Sequence, residues 1–85
     1  MLTFHYNVTF RPEPEGGFTV IVPTLPGCIT YGKDLKEAKA MVEDAINLYI
    51  ETLLEDGEPI PSDEDVFSAS IGIEMKSKAK SRVYA

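Results

Sequence analysis

The hexapeptide Pro23-Thr24-Leu25-Pro26-Gly27-Cys28 constrains this chain more than any other stretch of it. Its two prolines, three residues apart, each fix φ and each lack an amide donor. The apolar run Val20-Ile21-Val22 must therefore leave its sheet, turn at Gly27 and re-enter near Cys28. Ile29-Thr30-Tyr31-Gly32 then reads as a short strand. Asp34 opens a helix, and Glu37, three residues on, completes a capping-box pattern with it.

Upstream of the corner, Leu2, Phe4, Tyr6, Val8 and Phe10 alternate with Thr3, His5, Asn7, Thr9 and Arg11, the period of a strand with one buried face. Pro12, Pro14, Gly16 and Gly17 supply a turn with Glu13 and Glu15 at its tip, so Phe18 to Val22 return as the second strand of a hairpin. From Leu35 to about Glu55, the apolar residues Leu35, Ala38, Val42, Ala45, Ile46, Tyr49 and Leu53 follow three- and four-residue spacing. Lys36, Lys39, Glu43, Asp44, Asn47 and Glu51 occupy the other side, which predicts an amphipathic helix. Gly57 stops it, and Pro59 and Pro61 forbid its continuation. Met41, Leu48, Ile50 and Leu54 widen the apolar stripe; contact with a second subunit and a broad core face both account for that. After a polar loop over residues 56–65, Phe67, Ala69, Ile71, Ile73 and Met75 alternate with Val66, Ser68, Ser70, Gly72 and Glu74 and predict a final strand. The expected class is α+β in the order β-β-β-α-β: an antiparallel three-stranded meander plus a further strand, with one long helix packed on the sheet.

At 85 residues the chain is expected to form one domain over residues 1–75, followed by a short basic tail at 76–85 and no separate DNA-binding domain. A fold this small buries only about 60–65% of the surface its unfolded chain exposes, so association would add to its stability. With one cysteine no internal disulfide forms. No histidine or cation lies near Cys28 in sequence to activate it, and it reads as a small buried apolar residue. Met1 to Tyr6 has neither a basic start nor a continuous apolar region, and no segment approaches a bilayer span, so the expected location is the cytoplasm.

The net charge of -6 conceals an asymmetry. Residues 1–75 carry 4 bases against 14 acids, a balance of -10, while Lys76, Lys78, Lys80 and Arg82 give the tail +4. An acidic body repels nucleic acid and suits a basic protein partner, although solubility alone also accounts for the acids. Glu13, Glu15, Asp63, Glu64 and Asp65 are the candidate partner-binding residues. Lys76, Lys78, Lys80 and Arg82 are the candidate nucleic-acid contacts; they would equally protect a strand edge or fray as a terminus.

Little points to catalysis. His5, the single histidine, falls on the less apolar side of the first strand, with no serine, cysteine or carboxylate set beside it by a known motif. Asp63, Glu64 and Asp65 are adjacent, so their side chains diverge, and no calcium-loop spacing surrounds them. Gly16-Gly17 and Gly72 are isolated from any phosphate-cradling pattern. Inward strand positions are apolar, which argues against a magnesium nuclease centre. No cofactor, metal or enzymatic activity is expected.

The stretches from Gly17 to Gly32, Leu35-Lys36-Glu37-Ala38, Ala45-Ile46-Asn47-Leu48-Tyr49-Ile50 and Gly57-Glu58-Pro59-Ile60-Pro61 together resemble the HicB antitoxin family, over residues 4 to about 75. The resemblance implies a truncated ribonuclease-H-like fold without that nuclease's metal carboxylates. It implies a partner, a small basic HicA-type toxin that cleaves mRNA and is neutralised by cover of its active surface, and it implies homodimers or higher assemblies. Many HicB proteins continue into a helix-turn-helix or ribbon-helix-helix segment that binds promoter DNA. This sequence has only the basic tail there, which puts DNA autoregulation in doubt. A stand-alone HicB-like binding or regulatory module, with weak DNA contact through the tail, is the alternative reading; a residual magnesium nuclease is the alternative from the enzyme class.

Overall fold

Each turn signal in the first half of the chain closes as a hydrogen-bonded loop, and the three strands follow from that. The structure is a computed structural model and describes residues 3–75. β1 spans Thr9–Pro12, β2 Phe18–Ile21, β3 Ile29–Gly32 and α1 Leu35–Glu55. The strands form one antiparallel sheet in the order β1-β2-β3, with Phe10 opposite Val20 and Val20 opposite Thr30. Between β1 and β2, Glu13 N donates to Gly17 O and Gly16 N to Glu13 O. Gly16 and Gly17 both take positive φ there, 107° and 81°, which residues with a Cβ rarely adopt.

The corner behaves as the two prolines require. Val22 N donates to Cys28 O, Leu25 N to Val22 O and Cys28 N to Leu25 O, so the hexapeptide folds into a closed loop that returns the chain to the sheet. Leu25 at its centre is fully buried. It joins Val20, Val22, Cys28, Ala38 and Val42 in the core, with Tyr6, Val8, Phe10, Phe18, Ala45, Ile46 and Tyr49 packed around them.

The helix matches its sequence limits at both ends. Asp34 Oδ1 accepts from Glu37 N at 2.8 Å, while the Glu37 carboxylate reaches back to Lys33 N at 2.7 Å, one residue before the cap. At the other end Gly57 N donates to Leu54 O and Glu58 N to Leu53 O, a Schellman closure with Gly57 at φ 68°. The helix lies mainly over β3 and secondarily over β2. Among the described residues no helix is long and apolar enough to cross a membrane.

Two expectations are corrected. The first strand is regular only over Thr9–Pro12, although its alternation holds from Phe4 to Phe10, where the apolar side chains are half-buried and Thr3, His5, Thr9 and Arg11 are exposed. β2 leaves the sheet at Pro23, so residues 5–7 have no strand beside them there. The final strand is not formed among the described residues. From Phe67 to Met75 the chain carries no regular structure, and Phe67, Ile71, Ile73 and Met75 are exposed to 90%, 77%, 75% and 80%. Alternation measures the capacity of a segment to be a strand; it does not supply the edge on which to pair. The tail with Lys76, Lys78, Lys80 and Arg82 lies outside the described residues.

Candidate functional site

Of the five acidic residues singled out by sequence, Asp63 has an internal role. The gap left where β2 turns away at Pro23 is filled by the loop after α1. Asp63 N donates to His5 O at 2.7 Å, and Asn7 N donates to the Asp63 carboxylate at 2.8 Å. Thr24 Oγ1 donates to the other carboxylate oxygen, and Ser62 Oγ, Pro61 O and Val66 O take further bonds from residues 5, 6 and 7. Asp63 is the buried polar residue of the described chain and stitches its beginning to its end. The Thr24 hydroxyl and then the Asn7 amide hold its carboxyl below the ordinary value of 3.8, against the opposing effect of burial. Burial, with the Asp63 charge behind it, pushes the Tyr6 phenol up and keeps it a donor to Pro61 O at 2.6 Å.

The sign of a pH effect follows. A carboxyl depressed by folding contributes stability that is complete above its ordinary 3.8 and is lost as pH falls from there through the lower folded value. Asp63→Asn mimics the protonated form. Its thermal midpoint should lie roughly 5–10 °C below that of the unmodified chain at pH 7, with the gap closing below about pH 4. Melting curves from pH 2 to 7 check this; a gap that stays constant with pH contradicts it.

The remaining candidates do not form one patch. Glu13 is half-buried, accepts from Thr19 Oγ1 and lies 3.7 Å from Arg11 Nε. Glu15 is exposed at the hairpin tip, while Glu64 and Asp65 are exposed beside Asp63 near residue 7. At ~3.3 Å per strand residue, these two groups sit roughly 20 Å apart along the first strand.

A concave site missed by sequence lies between the C-terminal half of α1 and the re-entry into β3. Gly27, Cys28, Ile29, Ala45, Leu48, Tyr49, Thr52 and Leu53 enclose a groove of about 470 Å³. The floor is apolar and buried at Cys28, whose thiol is pushed up by burial and is therefore uncharged at neutral pH. One wall is pinned where Tyr49 Oη donates to Pro26 O at 2.7 Å. Leu48 and Ile29 stand at its mouth, 65% and 60% exposed. By helical spacing Asp44, Glu51, Glu55 and Asp56 border the same stretch of α1, three or four residues from Leu48 or Thr52. The last turn of α1 holds no basic residue, so Glu55 and Asp56 face the negative end of the helix without local compensation. The sequence signal was present in the widened stripe at Leu48 and Leu54, but the opposite wall came from a segment 20 residues upstream.

An apolar groove with acids on the neighbouring helix surface has the chemistry to accept an apolar side chain flanked by cations. Among the described residues no three of His, Cys, Asp or Glu cluster as metal ligands.

Comparisons with known proteins place the chain in a family. The model of the HicB-like antitoxin of bacterial toxin-antitoxin systems matches residues 6–80. The chain is 45% identical over 58 residues to a UPF0150 protein of Thermoplasma acidophilum, covering 68% of this chain and 84% of that one. It is 33% identical over 78 residues to the antitoxin HicB of Escherichia coli K12, covering 92% of this chain and 56% of the antitoxin. Antitoxin HicB 1 of Photorhabdus laumondii is 41% identical over 56 residues, or 66% of this chain and 36% of that protein. With one turn-rich corner, one capped helix and a family match over nearly its full length, the chain belongs to the HicB-like antitoxin family.

Proposed function

We propose that this chain neutralises a small basic HicA-type mRNA-cleaving toxin by docking it on the groove between α1 and β3, without catalysis of its own. The observation that carries this reading is the apolar groove at Leu48, Tyr49 and Leu53, whose helical wall has the exposed acids Asp44, Glu51 and Glu55 three or four residues from Leu48 or Thr52. The apolar floor supplies affinity and the acids supply orientation and fast encounter with a cationic partner. Glu13, Glu15, Glu64 and Asp65 add to the attracting field from the two ends of the first strand, and Asp63 holds the loop that presents its neighbours. The cytoplasm, where mRNA is cleaved, is the location this reading requires.

Titration against a HicA-type toxin, with RNA cleavage as the second readout, tests it. The complex should form at low salt, weaken about tenfold or more when salt rises from ~50 to ~300 mM, and protect RNA. Leu48→Asp and the pair Glu51→Lys, Glu55→Lys alter exposed positions that the fold does not use, and each should weaken binding about tenfold or more. Absence of a complex even at low salt overturns the reading; full binding by Leu48→Asp overturns the groove as its seat.

A further inference from the structure

We infer that Asp63 and Thr24 are positioning residues for the groove on α1, although neither lines it. The Asp63 carboxylate holds the Thr24 hydroxyl and so fixes the corner at residues 23–28, whose other end, Gly27 and Cys28, lines the groove opposite α1. Their part in docking rests on the function proposed above; the link between the carboxylate and the groove does not.

The corner is stiff enough to transmit a constraint. Val22 N donates to Cys28 O, Leu25 N to Val22 O and Cys28 N to Leu25 O, at 3.1, 3.0 and 2.9 Å. Pro23 and Pro26 fix two of its φ angles, and the fully buried Leu25 fills it from within. A displacement of Thr24 is therefore passed on to Gly27 and Cys28, three and four residues along, instead of being absorbed between them.

Two side-chain hydrogen bonds clamp this piece. Tyr49 Oη, on the helical wall of the groove, donates to Pro26 O at 2.7 Å. Thr24 Oγ1 donates to one oxygen of Asp63, whose other oxygen accepts from Asn7 N at 2.8 Å and whose amide donates to His5 O at 2.7 Å. Asp63 is only 5% exposed, so water competes little for these bonds.

Both clamps belong to one ring. The loop that carries Asp63 leaves the end of the same helix that carries Tyr49, with Gly57 closing α1 and Pro59 and Pro61 each fixing φ on the way. Helix, corner and loop thus close on one another through Tyr49 to Pro26 and Thr24 to Asp63. Breaking either bond lets the corner shift relative to α1, which changes the width of the groove above its Cys28 floor. A wall held in place before binding spares the partner the cost of ordering it.

Cys28, the single cysteine of the chain, is buried on the groove floor, so its rate of labelling by an aromatic disulfide reagent reads the opening of this wall in the full chain. Thr24→Val removes the hydroxyl, keeps the branched shape and leaves Asp63 its bonds to Asn7 and His5. Labelling should accelerate at least about tenfold, at a rate unchanged by urea up to ~1 M, the mark of local opening as against unfolding of the whole chain. Tyr49→Phe should do the same from the other clamp, and Thr24→Ser, which keeps the hydroxyl, should label as slowly as the unmodified chain. Asp34→Ala, which removes the helix cap at the end of α1 away from the groove at a cost of ~1 kcal/mol, should raise only the urea-dependent rate. A HicA-type toxin should bind Thr24→Val about three- to tenfold more weakly and Asp34→Ala unchanged. Slow labelling of Thr24→Val, acceleration that grows with urea as in Asp34→Ala, or equal toxin binding by Thr24→Val and the unmodified chain would each overturn the inference. If the unmodified chain binds no such toxin, the proposed function fails and the labelling rates alone decide the link.

Discussion

Gly32→Ala should lower the thermal midpoint by about 10–20 °C, the expectation for overpacking worth ~2–3 kcal/mol in a domain this small. Gly32 is the last residue of β3 and is buried beneath the first turns of α1. A Cβ built on it would lie 2.3 Å from both Ala38 Cα and Ala38 N, and 2.7 Å from Ala38 Cβ. The two nearest are backbone atoms of a helix held by its own hydrogen bonds, and the third is a Cβ fixed to that backbone, so no side-chain rotation relieves the contact. The helix and strand must separate along their largest shared surface, exposing Val42 and Val20 behind them. Circular dichroism melting measures the effect; a shift below about 3 °C would show that the helix rides over the added methyl at no cost.

The second large effect belongs to Leu25. Its side chain is fully buried, and the backbone on either side is fixed by the bonds from Leu25 N to Val22 O and Cys28 N to Leu25 O. Leu25→Ala would remove the side chain that fills the hexapeptide loop while leaving that loop unable to collapse. The upper part of the range for buried leucine, about 3–4 kcal/mol, is therefore expected. A domain of this size has a total stability near the low end of 5–15 kcal/mol, so the variant should keep only about 1–2 kcal/mol and start to unfold near 37 °C. Denaturant titration checks it, and a loss under about 1 kcal/mol would mean that the corner is held by its prolines and not by its plug.

Much of this fold was legible because its signals are local. The hexapeptide announced a corner, since proline removes a donor wherever it stands. Asp34, Glu37 and Gly57 bounded the helix residue by residue, since caps act on neighbouring amides. The family resemblance drawn from these same stretches agrees with the match over residues 6–80. The candidate site was less legible. Asp63 resembled its neighbours Glu64 and Asp65, yet its partners Asn7 and Thr24 stand 56 and 39 residues away, and nothing in the loop itself announces them. The groove on α1 likewise needs a wall from Gly27 to Ile29.

By itself the sequence determined the turns between the strands, both ends of the helix, which faces are apolar, and that the body is acidic, because propensity, capping and charge reside in neighbouring residues. Only the tertiary structure decided which carboxylate is buried, where the apolar groove lies, and that the alternating segment from Phe67 to Met75 has no partner strand among the described residues. Those outcomes depend on which distant backbone donors and edges remain unoccupied once the chain has closed on itself.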